Sequence, residues 1–424
     1  MKVFIHSFGC RVNQYEGEKV REGFEAAGAI FEESWKTADL CVVNTCSVTD
    51  HADRDARVMI RKIYERNPIT KVVVTGCYAT RAPEELQKLF PEVLIVGNDQ
   101  KESIPSLSGC SMGLERNVIG NFAGHTRAYI KVQDGCNMKC TYCIIPGTRP
   151  TMTSRAPEEI LREVQGLLER GYREFVLCGI RLGRYWAQLK TQNSKLKIPE
   201  GRWVDLIGLI SRIADLEGDF RIRLSSVEVT DLTDRFLQTY RDIAKTVPYF
   251  HIPLQSGSDR VLHDMKRWYN TSFYAGRVEA CRKFLTDDVA IFTDFMIGFP
   301  TEAEQDYKDS MAFADKIGFA GMHIFRFSAR SDTPAAALEP VYGGQELKER
   351  VEQTHAKDRE FRQNYASRFV GKEMKVLVEE TKLGQDRARA ENFLEVFLPA
   401  AKVSKGGWET VKIDGVDKGK LFTN

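Results

Sequence analysis

An excess of charge of either sign is missing from this chain. Its 424 residues hold 61 Lys and Arg against 59 Asp and Glu, a formal net charge of +2. Bulk charge therefore does not announce a nucleic-acid binder, and any such role must come from a local site. Long apolar runs are missing as well: no stretch of about 18 apolar residues reads as a membrane span. The opening MKVFIHSFGC, broken by His6 and Ser7, is too short an apolar stretch for a signal peptide. A cytoplasmic chain with no membrane association is expected. Cysteine is plentiful, ten in all. Without a secretion signal, these read as reduced thiols and metal ligands rather than a disulfide framework. The length suits two or three domains with cores of their own.

Three of the ten cysteines, Cys136, Cys140 and Cys143, stand in DGCNMKCTYCIIPG. Three thiolates this close can grip one cubane iron–sulfur cluster, which normally takes four protein ligands. With three, one iron stays open for a small molecule. A zinc knuckle is the competing reading, but no His or Cys follows at finger-like spacing to complete a tetrahedron.

Residues 1–100 read as a small α/β unit. Short apolar runs at Lys2–Phe8, Leu40–Asn44, Lys71–Thr75 and Val93–Val96 alternate with helical patterns near Glu16–Ala27, Ala52–Glu65 and Pro83–Leu89. That alternation implies a doubly wound parallel sheet. Cys10, Cys46 and Cys77 each lie just past the carboxyl end of a predicted strand, on the edge where such sheets bind ligands. Adjacent strand ends are about 4.8 Å apart. The three thiols can therefore converge and hold a second three-cysteine cluster, although singly each would read as an inert buried thiol.

From about 127 to 330 a strand–helix unit recurs six times. Strands are expected at Arg127–Gln133, Glu174–Gly179, Arg221–Val227, Tyr249–Leu254, Ile291–Phe299 and Gly321–Ser328. Helices are expected near Pro157–Arg170, Trp203–Leu216, Asp231–Lys245, Ser272–Leu285 and Thr301–Ile317, with a short one near Asp259–Met265. Six units suggest a partial (βα)6 barrel with its functional groups at the carboxyl-terminal mouth. Cys136 follows the first strand and so belongs there. Gly109–Gly124 reads as a linker and Trp186–Arg202 as a polar insertion. Gln345–Arg368 reads as a charged, solvated connector helix. Alternating patterns at Lys372–Glu380, Arg389–Pro399 and Glu409–Ile413 then suggest a small antiparallel β barrel. The limits expected are 1–110, 125–345, a 346–370 connector, and 371–424. Such a barrel would hold nucleic acid weakly or serve as a structural cap, and its removal is expected to spare chemistry at the cysteines, all of which precede it.

The motifs SFGCRVNQ, NTCSVT, TGCYA, the cysteine loop with IIPGTRP, HIPLQSGSDRVL and DFMIGFPTEAEQD, running nearly the whole length, resemble the radical S-adenosylmethionine (SAM) methylthiotransferases. AENFLEV resembles the TRAM domain that ends those chains. The resemblance implies two 4Fe–4S clusters, with SAM at the open iron of the cluster on Cys136, Cys140 and Cys143. An auxiliary cluster would sit on Cys10, Cys46 and Cys77. It further implies a tRNA substrate, a sulfide source and an electron donor such as flavodoxin or ferredoxin. Ser256-Gly257 after the PLQ element resembles the tRNA branches, and KRWYN and His323 resemble the MtaB-type branch among them, which acts on carbon 2 of threonylcarbamoyladenosine beside the anticodon. Branches acting on isopentenyladenosine or on an aspartate of a small-subunit ribosomal protein are the alternatives. An iron–sulfur RNA-binding protein without catalysis is a further one. No side chain is expected to act as a catalyst in its own right, because the clusters carry the chemistry.

Five residues are expected near SAM. Tyr142 would lie against the adenine, or pack as a loop aromatic. Gly179 would allow close backbone approach, or serve as a turn glycine. Ser226, Glu228 and Gln255 would bind hydroxyls or the amine, or remain solvated strand ends. Arg149 and Arg155 flank the cysteine loop and would meet a carboxylate of SAM or of the threonyl group. Cys41, Cys110, Cys178 and Cys281 lack partners at ligand spacing.

Overall fold

The computed structural model describes residues 1–110, 119–122, 124–189, 203–381, 385–399 and 402–423. The first unit is a five-stranded parallel sheet of Lys2–Ser7, Ile30–Phe31, Leu40–Thr45, Lys71–Gly76 and Leu94–Ile95. In space the order is second, first, third, fourth, fifth. The direction of winding reverses between the first and third strands, and open α/β sheets receive ligands beside such a switch point. Cys10 and Cys46 follow those two strands. Val42, Val43 and Val74 are fully buried, as runs covered by helices on both faces must be. The pair Ile30–Phe31 is too short to show in a pattern and was not expected.

Six parallel strands follow at Arg127–Asp134, Glu174–Gly179, Arg221–Leu224, Tyr249–His251, Ala290–Ile297 and Gly321–Arg326. Continuous ladders join the first three and the last three. Single bridges at Ile222–Thr246 and Ser226–His251 carry the curve across the middle. Ile222, Leu224, Phe250 and Ile252 alternate outward into the core shared with the helices. Side-chain oxygens of Asp205, Thr233, Ser258 and Asn270 cap four of the helices, each worth about 1 kcal/mol. Trp203–Asp205 is a strand rather than helix: it pairs antiparallel with Trp186–Gln188, and the helix begins at Leu206 behind the Asp205 cap. Residues 190–202 of the expected insertion, and 111–118 and 123 of the expected linker, lie outside the described residues.

Glu373–Glu380, Asp386–Ala390, Glu395–Leu398, Trp408–Lys412, Gly415–Asp417 and Lys420–Phe422 form a curled six-stranded sheet. It is antiparallel except where Glu395–Leu398 runs parallel to Lys420–Phe422. The single strand expected at Arg389–Pro399 is two, folded back at Asn392-Phe393, with Phe393 in the left-handed region at φ 72°.

The expectation of a separable final unit on a solvated connector does not match the packing. The helix Gly344–Ser367 buries Arg350, Thr354, Asp358, Phe361 and Tyr365 at three- and four-residue spacing, one whole face. A single apolar core then joins barrel residues Tyr249 and Phe292, helix residue Tyr365, Phe369 just past the helix, and sheet residues Met374, Val376 and Val396. Phe393 reaches to the barrel floor, 5.1 Å from the Tyr249 ring and 6.3 Å from Phe292. Arg389 and Ala390 offer their carbonyls to Arg221 (2.9 Å) and Arg223 (3.3 Å). Those two arginines sandwich Glu174 at 2.5 and 2.8 Å. Burial alone would raise the Glu174 carboxyl; the two arginines outweigh it and hold the group well below its ordinary range.

Candidate functional site

Two glycines build the tips that carry the first three cysteines. Gly9 has φ +85°, and a Cβ there would lie 2.6 Å from both Cβ and Sγ of Cys46. Gly76 has φ +98°, and its Cβ would meet the Thr45 carbonyl at 2.2 Å. Only glycine fits either place. The Asn13 amide then ties the tips together, donating to the carbonyls of Phe8 (2.7 Å) and Thr45 (3.2 Å), while the Asn44 amide donates to Asn13 O at 2.7 Å. Cys10 sits at the start of the helix Arg11–Ala26. It is exposed, and the surrounding protein raises its thiol, with Cys77 near enough to add to the rise. Burial pushes the Cys46 thiol up to about 12, with Cys10 and Cys77 near enough to add to the rise.

The second triad hangs from the first barrel strand. Gln133 donates to the carbonyls of Asp134 (2.6 Å) and Gly135 (2.8 Å) and accepts from the Arg181 N–H (2.7 Å). It thereby locks the root of the loop to the neighbouring strand end. A Cβ on Gly179 would lie 3.0 Å from Gln133, so that glycine makes room for this lock. Cys136 N donates to Arg149 O at 3.3 Å, and Cys143 N to Cys140 O at 3.2 Å. Burial pushes the Cys143 thiol up to about 12, and Cys140 and Cys136 add to it.

The donor sets fit clusters better than single ions. Among the described residues, the one group of three or more His, Cys, Asp or Glu with all ligand atoms within 4.8 Å is His251, Asp294 and His323. Neither cysteine triad is that tight. Four sulfurs about 2.3 Å from one zinc ion would be closer together than that, whereas a cubane spreads its thiolates over four irons.

Around the second triad several buried polar atoms lack partners. Gln255, at φ 71°, has an unpaired Oε1, Ser225 an unpaired Oγ, and all three guanidinium nitrogens of Arg181 make no hydrogen bond. An unusual φ beside an orphaned acceptor is a common mark of a ligand seat. Arg181 lies 3.6 Å from Asp231 and under the Trp268 ring. Arg267 donates to Cys140 Sγ at 3.3 Å and to Glu228 at 2.5 Å. Glu228 is thus engaged by an arginine, and Ser226 lies on the bridge to His251. Tyr142 packs with Met296, Phe325 and Phe327 in an apolar cluster, the geometry of the loop-aromatic reading.

Arg149 and Arg155 have other work than meeting a substrate carboxylate. Arg149 grips Glu16 with two bonds of 2.7 Å and Asp134 with bonds of 2.8 and 2.9 Å. Glu16 also takes Lys101 (2.5 Å) and Lys131 (2.6 Å). Burial would raise the Glu16 carboxyl, but these three cations hold it well below the usual range. Arg155 donates to Glu163 (2.5 Å) and to Tyr15 (2.8 Å). Both arginines therefore fasten the first helix of the N-terminal unit to the barrel. A third fastening is Asp53, held at 2.9 Å by both Arg81 and Arg330.

Sequence reasoning missed Gln133, Arg181, Ser225 and Arg267, which stand in strand ends and loops with no ligand spacing to mark them. It also missed the set on the barrel wall, where Asp294 accepts from His251 at 2.9 Å and faces His323 at 3.5 Å. HIPLQSG and DFMIGFP carried two of these three, but only their convergence singles them out.

A parallel switch-point sheet joined to a partial barrel, with one cysteine triad on each, defines a class. Residues 130–314 match the Radical SAM superfamily. Residues 2–97 match a group described as "Uncharacterized protein family UPF0004". In overall fold the chain is similar to the radical S-adenosylmethionine methyltransferase TsrM from Kitasatospora setae. The TM-score is 0.54 at 12% identity, covering 79% of this chain and 77% of that one. It is 34% identical over 394 residues to the threonylcarbamoyladenosine tRNA methylthiotransferase MtaB of Bacillus subtilis (strain 168), covering 89% of this chain and 85% of that protein. To the tRNA-2-methylthio-N(6)-dimethylallyladenosine synthase of Methylococcus capsulatus it is 32% identical over 399 residues, covering 90% and 85%. The chain belongs to the radical SAM methylthiotransferases. Members use SAM and two 4Fe–4S clusters. Among the described residues no helix is long and apolar enough to cross a membrane.

Proposed function

We propose that this enzyme adds a methylthio group to carbon 2 of threonylcarbamoyladenosine beside the anticodon of tRNA. The observation that carries the reading is the pair of cysteine triads, one on the strand tips of the N-terminal sheet and one on the loop after the first barrel strand, in a chain similar to MtaB over nine-tenths of its length. In this reading Cys10, Cys46 and Cys77 hold the auxiliary cluster, and Cys136, Cys140 and Cys143 hold the SAM cluster. Ser225, Ser226, Gln255 and Arg181 bind SAM. Tyr142, Gly179 and Glu228 shape the seat, Glu228 by way of Arg267. When bound, the clusters and SAM supply the 5′-deoxyadenosyl radical and the methylated sulfur. The residues do the rest. Glu16 and Arg149 hold the two mouths in register, and the barrel wall excludes water from a carbon whose C–H bond acid–base groups cannot break. The domain limits in this reading are 1–110, 125–345, 346–370 and 371–424. The partners are a cytoplasmic tRNA, a one-electron donor such as flavodoxin or ferredoxin, and a sulfide source.

Nucleoside mass spectrometry of tRNA from a deletion strain tests this. Loss of 2-methylthio-threonylcarbamoyladenosine, restored by the parent gene but not by Cys10→Ala or Cys136→Ala, is expected. Loss of the methylthiolated isopentenyl nucleoside instead would overturn the substrate. Unchanged tRNA with an unmodified ribosomal protein would overturn the RNA branch altogether.

A further inference from the structure

A cavity of about 520 Å³ opens between the cysteine loop and the N-terminal unit, with Cys140 and Cys143 in its wall. Its lining comes from the cysteine loop, from Thr80 and Arg81 of the N-terminal unit, and from the loops that carry Lys266, Asp332 and Pro334, so it opens onto two of the cluster ligands. Its rim carries Lys139, Lys266 and Arg81 against the single acid Asp332. Asp332 lies 3.8 Å from Arg81. The two lysines are exposed and have no ion-pair partner among the described residues. Lys266 is held outside ordinary geometry at φ 54°, and its neighbour Arg267 is the residue that donates to Cys140 Sγ. Arg330, fastened to Asp53, anchors the loop that brings Asp332 and Pro334 to this rim.

We propose that the rim of this cavity is the docking surface for an acidic one-electron carrier protein. The inference rests on the methylthiotransferase reading above. The step transfers no atoms: the carrier loses one electron and the enzyme gains it. A positive rim around an opening that leads to the cluster ligands steers an anionic carrier and sets its orientation. Redox encounters are small, at the low end of interface sizes, below about 1,200 Å², so a few lysines around one opening suffice. A tRNA backbone is the competing polyanion. Two lysines without ion-pair partners around one opening, beside an Arg81 already held by Asp53 and Asp332, make a poor track for it, since RNA affinity scales with the number of phosphates neutralised.

Two variants test this on the reconstituted, full-length enzyme. Lys139→Glu/Lys266→Glu reverses the rim. Gly147→Tyr places bulk on the exposed loop without a clash, because a Cβ there meets nothing within 4 Å. Purified oxidised flavodoxin is titrated onto each by fluorescence at low and high salt, and SAM cleavage is driven in parallel by reduced flavodoxin and by dithionite. The expected result is a flavodoxin affinity at least tenfold weaker in both variants, salt-sensitive in the parent. Flavodoxin-driven cleavage should fall to match, with iron content, dithionite-driven cleavage and tRNA affinity unchanged. Parental flavodoxin affinity in both variants would overturn the proposal, as would a parallel tenfold loss of tRNA affinity, which would make the face an RNA surface. Dithionite-driven cleavage surviving Cys140→Ala would sink the functional reading instead.

Discussion

Phe393 is the residue on which the C-terminal sheet turns, and replacing it with alanine is the most exacting test of how this molecule is held together. Its ring fills the floor of the barrel against Tyr249 and Phe292, with the guanidinium groups of Arg223 and Arg389 4.9 and 4.6 Å from its centre. Truncating a fully buried Phe to Ala costs about 3–5 kcal/mol. This ring is partly buried, which lowers the figure, while its aromatic pairs add about 0.5–1.5 kcal/mol each. A loss of about 3 kcal/mol is expected, which for a cooperative unit of about 300 residues is a fall of roughly 5 °C in Tm. Phe393→Gly separates the ring from the backbone: it loses the same contacts but relieves the left-handed φ, and should melt above the alanine variant by the equivalent of about 1 kcal/mol. The measurements are calorimetry and the rate at which trypsin releases the sheet. An alanine variant that melts with the parent and is cut no faster would refute the shared core. On the same reasoning, deleting 371–424 uncovers the Glu174–Arg221–Arg223 cluster and should depress SAM cleavage together with tRNA binding.

Gly76→Ala should cost the auxiliary site, because the new Cβ strikes the Thr45 carbonyl; iron after anaerobic reconstitution should drop from about eight to about four per chain, and retention of eight would refute the strand-tip geometry. Replacing Cys41, Cys110, Cys178 or Cys281 by Ala should leave iron content unchanged, and a loss of half would reassign the ligand. Glu302 is raised to about 7 by burial, which Gly298 N–H and Arg350 offset only in part. Its folded form therefore prefers the proton, so the contribution is full below the ordinary value of 4.5 and is lost as pH rises through 7. Glu302→Gln should leave Tm unchanged at pH 4.5 and raise it at pH 8, by up to about 3 kcal/mol of stability; equal melting at pH 8 would refute the assignment.

The features legible in the sequence were those with short-range signatures. The Cys-x3-Cys-x2-Cys spacing, the Val-rich strands and the strand–helix alternation fix the sheet, the barrel and the placing of both triads, because each follows from a local period. The stripe Arg350, Thr354, Asp358, Phe361, Tyr365 was present in the sequence but hidden under charge, so the helix read as solvated. The fold at Asn392-Phe393 was not legible at all, since an aromatic residue gives no warning of a left-handed turn. Arg149 and Arg155 read as substrate grips because an arginine beside a cysteine loop has no sequence neighbour to pair with. Glu16 and Glu163, which take them, lie 133 and 8 positions away.

Glu16 belongs to the first sheet's helix but takes its partners from both halves of the molecule. A graft of the first hundred residues onto a foreign barrel would inherit three cysteines without their aim, because Lys131 and Arg149 stay behind on the host. Such a hybrid would bury one carboxylate beside a lone Lys101 and leave its two sulfur centres free to drift apart. The barrel is on this account aimed by an acid it does not own, and a change at Lys131 or Arg149 is felt by the other sheet.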